Sequence, residues 1–185
     1  AGEHPYCTTE GKSFRFRRGT HRITRDIIIP AGYRVDIPAG TQLDFQRGSK
    51  FLSYSKINIR GTLAEPVRIV STDRSARGFT ILQAPERSYL SYAIFDHFNT
   101  LNDRGWQLTG AVTFYESDVD IHHCIFENNH CEDGLNLIRS NFLMVGATIR
   151  QTPSDGFDAD FCEGSIRGCH FVDTGNDGID VSGST

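Results

Sequence analysis

The sequence has little that would place it in a membrane or around a metal. No apolar run among its 185 residues approaches the roughly 18 needed to cross a bilayer, so no membrane span is expected. The five cysteines include no Cys-x-x-Cys, which argues against a zinc site. Ala1-Gly2-Glu3 lacks the basic and apolar regions of a signal peptide, so an export signal has been removed or was never there. Helical periodicity is also missing: nowhere does an apolar pattern at 3.6-residue spacing last long enough to fill a helix. Lysine disappears after Lys56.

That last absence belongs to a wider asymmetry beneath a net charge of -4. Residues 1–78 hold 14 Lys/Arg against 7 Asp/Glu, while residues 79–185 hold 5 Arg against 16 Asp/Glu. If the chain winds along an axis, the molecule is polarised, with a basic end suited to anionic polymers and an acidic end suited to cations. A cluster of Arg15, Arg17, Arg18, Arg22 and Arg25 comes without a recognised nucleic-acid motif, so nucleic acid is not an expected partner.

What is present is repetition. Asp133-Gly134, Asp155-Gly156 and Asp177-Gly178 fall 22 residues apart, and each opens a short apolar-polar-apolar run: Leu135-Asn136-Leu137, Phe157-Asp158-Ala159 and Ile179-Asp180-Val181. Ile121, Met144 and Ile166 align at steps of 22 or 23, as do Cys124, Ala147 and Cys169, and Phe126, Ile149 and Phe171. Within each unit apolar and polar residues alternate over three or four positions before a turn residue intervenes, which is strand patterning. One such unit cannot bury its inward side chains alone, so neighbours must stack with their strands about 4.8 Å apart. Leucine-rich repeats share the length, but their Leu-x-x-Leu-x-Leu signature is missing. The expectation is an all-β fold, a right-handed parallel β-helix of five to six coils with a period of 22–23 residues.

Residues 1–26 are read as an N-terminal cap and first strand, and 27–185 as a single β-helical domain with a long loop at 99–109. Chain end Ile179–Thr185 stops less than halfway through a coil with no capping segment. This suggests a fragment of a longer protein, with a further domain or a second copy abutting the open end. Cys124 and Cys169, two coils apart with Ala147 between them, would be about 9.6 Å apart, too far to bridge.

Early coils are marked by Ile27-Ile28-Ile29-Pro30-Ala31-Gly32 and its echo Val35-Asp36-Ile37-Pro38-Ala39-Gly40, then by Thr41-Gln42-Leu43-Asp44-Phe45 and Ile59-Arg60-Gly61-Thr62-Leu63-Ala64-Glu65-Pro66-Val67-Arg68-Ile69. With the Asp-Gly coils behind them, these runs resemble the pectin-lyase-like superfamily of single-stranded right-handed parallel β-helices, as found in exported bacterial proteins. The resemblance implies an extracytoplasmic location and an acidic polysaccharide as the partner bound, cleaved or epimerised. It specifies the fold better than the activity.

Matching coil to coil puts Thr113, Asn136, Asp158 and Asp180 in one outward column and Tyr115, Ile138, Asp160 and Ser182 in the next. Asp158 and Asp160 would lie about 6.5 to 7 Å apart, and Asp158 and Asp180 about 4.8 Å. Acids that close either share a proton or hold a cation. One reading has Asp133, Asp155 and Asp177 serving tight turns while the mid-strand acids face water. A second makes Asp158, Asp160 and Asp180 ligands of Ca²⁺ with Asn136 adding a carbonyl; lyases of the superfamily work this way with an Arg or Lys base, for which Arg139 is the nearest candidate. A third pairs the acids for glycoside hydrolysis, but the Gly-His-Gly and Arg-Ile-Lys of polygalacturonases are absent. Trp106, the single tryptophan, stands in the long loop, where it either stacks on a sugar ring with Tyr115 and Asn136 alongside or pins the loop. Three functions follow: a module that binds or presents to polysaccharide, a Ca²⁺-dependent lyase, hydrolase or epimerase, or an inert spacer.

Overall fold

In the computed structural model, which describes residues 5–103 and 105–185, the alternating segments become strands of three to six residues that wind into seven coils, each giving one strand to each of three parallel sheets. Sheet 1 runs through Ser13–Phe16, Arg34–Pro38, Ile57–Arg60, Ser88–Ser91, Val119–His122, Asn141–Val145 and Glu163–Arg167. Sheet 2 takes Gly19–Ile23, Thr41–Phe45, Val67–Val70, Ala93–Asp96, Ile125–Glu127, Thr148–Thr152 and His170–Thr174. Sheet 3 takes Ile27–Ile29, Phe51–Ser53, Phe79–Leu82, Gly110–Tyr115, Asp133–Ile138, Asp155–Asp160 and Ile179–Ser182. Among the described residues there is no helix long and apolar enough to cross a membrane. The count of seven corrects the expected five to six, because parallel winding already begins at Ser13. Outside the stack are Cys7–Glu10, a capping strand antiparallel to Ser13–Phe16, and Leu101–Asp103 with Trp106–Leu108, a separate two-stranded sheet.

The inward positions pile up as the repeat requires. Leu135, Phe157 and Ile179 are register partners across successive coils, and so are Val112, Leu135 and Phe157. Phe51 and Phe79 stack with ring centroids 4.3 Å apart, Phe95 and Phe126 at 5.1 Å, and Phe79 meets Phe95 edge-on at 5.2 Å. Such ring pairs add about 0.5–1.5 kcal/mol each beyond the burial of their area.

Where sheet 3 turns into sheet 1, the chain solves its corner the same way each time. Gln83, Glu116, Arg139 and Phe161 adopt left-handed backbone (φ 47 to 53), followed on the same column by Gly183 (φ 62). A non-glycine residue there costs about 1 kcal/mol. In return each gives its backbone N–H to the next coil: Glu116 to the Ile138 carbonyl and Arg139 to that of Asp160, both at 2.8 Å. The residue after each corner turns its side chain inward. Ser117 Oγ accepts from Ala84 N–H at 2.9 Å, Ser140 Oγ from Ser117 N–H at 3.0 Å, and Ser184 Oγ from Cys162 N–H at 2.9 Å. Cys162 therefore occupies a serine position in this ladder, and all five thiols are free. Ser140→Ala should cost about 1–3 kcal/mol, since it strands the buried Ser117 N–H, whereas Cys162→Ser should change stability by less than about 1 kcal/mol. Equilibrium urea unfolding of the two variants distinguishes them.

The Asp-Gly pairs are not turns. Gly134, Gly156 and Gly178 lie outside the left-handed region, and a Cβ on Gly134 would come within 2.8 Å of the Gly156 carbonyl, as one on Gly156 would of the Gly178 carbonyl. Close stacking of backbones selects glycine here. Nor does Asp155 cap its own backbone: it accepts from Asp177 N–H at 2.8 Å and Asn176 Nδ2 at 2.9 Å, one coil ahead.

Candidate functional site on the third sheet

Sheet 3 has the longest strands, and its outward side changes character along the axis. One outward column reads Leu52, Thr80, Thr113, Asn136, Asp158, Asp180, and the next reads Leu82, Tyr115, Ile138, Asp160, Ser182. Thr80, Thr113 and Asn136 point away from the core by alternation yet are buried. The cover over the earlier coils is the long loop, which is an antiparallel hairpin, Leu101–Asp103 against Trp106–Leu108. Its root is held where Leu101 packs over Gly78, whose φ of 67 and lack of a side chain leave the room, and where Arg77 Nη1 donates to the Asn102 carbonyl at 3.2 Å.

The hairpin crosses the sheet and meets its far edge, leaving a groove of about 410 Å³ lined by Tyr54, Leu82, Gln83, Trp106, Leu108 and Tyr115. Trp106 is 38% exposed. Beside this apolar and aromatic lining runs a polar rail. Gln83 Nε2 donates to Glu116 Oε2 at 2.9 Å, and Arg139 Nη1 reaches both the Tyr115 hydroxyl at 3.4 Å and Glu116 Oε1 at 3.6 Å. The Arg139 guanidinium also lies over the Phe161 ring, 5.9 Å from its centroid.

Beyond the groove the same face becomes acidic. Asn136 Nδ2 donates to Asp158 Oδ2 at 2.8 Å. Burial, then the neighbouring Asp133, Asp160, Asp180 and Asp155, pushes the Asp158 carboxyl up to about 7. Asp133 is pushed up to about 6, mainly by burial, against the opposing hydrogen bond from the Thr109 side chain. Asp133 Oδ2 and Asn136 Oδ1 are buried without a hydrogen-bond partner among the described residues, an unusual cost beside raised carboxyls. Among the described residues no three His, Cys, Asp or Glu side chains gather where they could hold a metal ion. Asp158 and Asp160 stand two apart on one strand, and Asp180, exposed, is the register partner of Asp158 on the next.

Of the candidates named from the sequence, Trp106 and Tyr115 share the groove, and Asn136 is bonded to Asp158. The Arg139 side chain is not joined to the acids. Arg139 follows the end of its strand in left-handed backbone, and its guanidinium hydrogen bond and ion pair run to the groove side. Tyr54, Leu82, Gln83, Leu108 and Glu116 were not anticipated. A signal existed for two of them, since Gln83 and Glu116 each stand just before the ladder positions Ala84 and Ser117.

A scan of known protein families and searches of curated proteins and of solved structures find nothing that matches this chain.

Proposed function

We propose that this chain is an extracytoplasmic module, of pectin-lyase-like kinship and part of a larger surface or exported protein, that binds polysaccharide along the outer side of sheet 3. The reading is carried by one observation, the groove in which Trp106, Tyr115 and Tyr54 meet beside the Gln83–Glu116–Arg139 rail. An apolar, aromatic lining with a few fixed polar groups is the usual composition of a ligand site, and about 410 Å³ falls within the usual range of roughly 300–1,000 Å³. Sugar rings present an apolar face and a hydroxyl rim, which suit an indole and a planar polar rail respectively. Titration calorimetry against a panel of neutral and acidic oligosaccharides tests the reading. Trp106→Ala should weaken the bound glycan at least about tenfold, or about 1.4 kcal/mol, while Asp158→Asn should bind as the wild type does. The reading fails if the wild type binds no glycan or Trp106→Ala binds as tightly.

Turnover is a second reading, favoured by the raised carboxyl of Asp158 beside Asn136, since a general acid works best with a pKa near the working pH. Asp158, Asp160 and Asp180 would then act on an acidic glycan, with Arg139 reorienting toward them; in the Ca²⁺-dependent form the same acids would have to draw together to hold the ion, which would supply neutralisation of a uronate carboxylate, since they do not gather as a metal set among the described residues. New unsaturated uronate absorbance or new reducing ends, abolished in Asp158→Asn, would support it. A melting temperature unmoved by millimolar Ca²⁺ would remove its lyase form.

A further inference from the structure

We propose that the outer side of sheet 1, at the basic end of the molecule, carries an oxyanion site in which the guanidinium groups of Arg15, Arg34 and Arg60 receive a phosphate or sulfate group. The three arginines come from three successive coils and line one cavity of about 290 Å³, together with Asp36, Asn58 and Pro38. The pairing register places them there: Arg15, Asp36, Asn58 and Tyr89 form one outward column, and Pro38 and Arg60 are neighbours in the next.

Two of the arginines are held in place by contacts that leave hydrogen-bond donors available. Arg34 uses Nε to reach Asp36, 3.0 Å from Oδ2 and 3.2 Å from Oδ1, which leaves the terminal nitrogens of its fork free. The carboxylate is itself fixed, because Asn58 Nδ2, on a residue 7% exposed, donates to Asp36 Oδ1 at 3.1 Å. Arg60 lies over the Tyr89 ring, 5.7 Å from its centroid, so its position is set by a cation–π contact that consumes none of its donors. Among the described residues no carboxylate pairs with Arg15 or Arg60. Three positive charges against one negative thus line a concave surface, and two of the arginines each have a contact that orients the guanidinium before a ligand arrives.

Shape selects the ligand class. A carboxylate takes one guanidinium fork across its two oxygens, whereas donors arriving from three coils suit the three or four oxygens of a tetrahedral group. The basic character is also local. Further along the same sheet Arg87 is spent on Asp118 and Asp120, at 3.3 and 2.8 Å, and Asp120 occupies the column that Arg15 opens. The site lies on a different sheet from the aromatic groove and does not depend on it.

Titration calorimetry of the full chain with inorganic phosphate and, separately, inorganic sulfate, at constant ionic strength set with sodium chloride, tests the proposal. Saturable binding at one site is expected, about tenfold or more weaker in Arg34→Gln and in Arg60→Gln, as the loss of charge-assisted hydrogen bonds implies. Trp106→Ala and Arg167→Gln, the latter exposed at the far end of sheet 1, should bind as the wild type does. Both Gln variants alter partly exposed side chains, and an unchanged melting temperature without the ion shows that they fold. If phosphate binds more tightly and tightens further between pH 6 and 8, as the second proton of inorganic phosphate leaves near pH 7, roughly a unit above that of a phosphate ester, a phosphate group is the ligand; tighter, pH-independent binding of sulfate assigns a sulfate ester. No saturation, or equal affinity in the Gln variants, would mean an adventitious ion only and would overturn the proposal.

Discussion

Phe157→Ala should destabilise the chain by about 3–5 kcal/mol, and the loss should be confined to the last coils. Phe157 is fully buried, lies in register between Leu135 and Ile179, and meets Phe142 edge-on at 5.5 Å. Removing the ring leaves a cavity bounded by two backbones that cannot collapse, because the strands above and below are fixed at their pairing distance. In a stack each coil touches only its neighbours, so stability is close to a sum of coil and interface contributions. The variant should therefore show an early transition in urea and fast amide exchange over residues 141–182, while the strands around Phe95 and Phe126 keep wild-type protection. A cost below about 1 kcal/mol, or an increase in exchange spread evenly over all coils, would contradict this nearest-neighbour account.

The same logic explains what could be read from the sequence. A repeat exposes its register because side chains at equivalent positions must share one interior, and Leu135, Phe157 and Ile179 meet as the 22-residue period requires. The first coil was harder to see. Phe14, Phe16 and Ile23 stand among arginines that face outward, so its apolar content is thin, and the coil merged with the cap. Asp-Gly pairs favour turns by local chemistry, yet here the turn gives way to stacking: Gly134 and Gly156 sit where one backbone runs against the next, and Asp133 and Asp155 begin strands instead, while Asp177 lies two residues ahead of the last strand. The outward columns of sheet 3 followed from alternation alone. Their burial did not, because the cover over Thr80 and Thr113 is a hairpin whose return across the sheet depends on where Leu101 and Trp106 land, a long-range fact that periodicity does not carry. Arg139 shows the limit within a single residue. It stands three positions past Asn136, but the strand ends at Ile138, and the left-handed corner swings its guanidinium to Glu116 and Tyr115.

Asp158→Asn should raise stability at neutral pH and leave it nearly unchanged at acid pH. The carboxyl moves from an ordinary 3.8 to about 7 in the folded chain, through burial first and then Asp133, Asp160, Asp180 and Asp155 around it. Between about pH 4 and 7 the folded chain therefore holds more proton than the unfolded one, and stability falls as pH rises through that window. Asp133, raised to about 6, contributes in the same direction. A shift of about three units corresponds to about 4 kcal/mol at 1.36 kcal/mol per unit, and screening of the partly exposed Asp158 reduces this to about 1–2 kcal/mol. An asparagine removes the charge while its carbonyl still accepts from Asn136 Nδ2, and its own amide offers a donor to a cluster in which Asp133 Oδ2 and Asn136 Oδ1 are without one. At pH 7.5 the melting temperature should rise by about 2–6 °C, and the slope of stability between pH 4 and 7 should flatten. An equal gain at pH 4 would assign the effect to packing rather than charge. A loss at pH 7.5 would show instead that the ionised carboxylate is a favourable partner in the native chain, and that the acid row is held together by something other than shared protons.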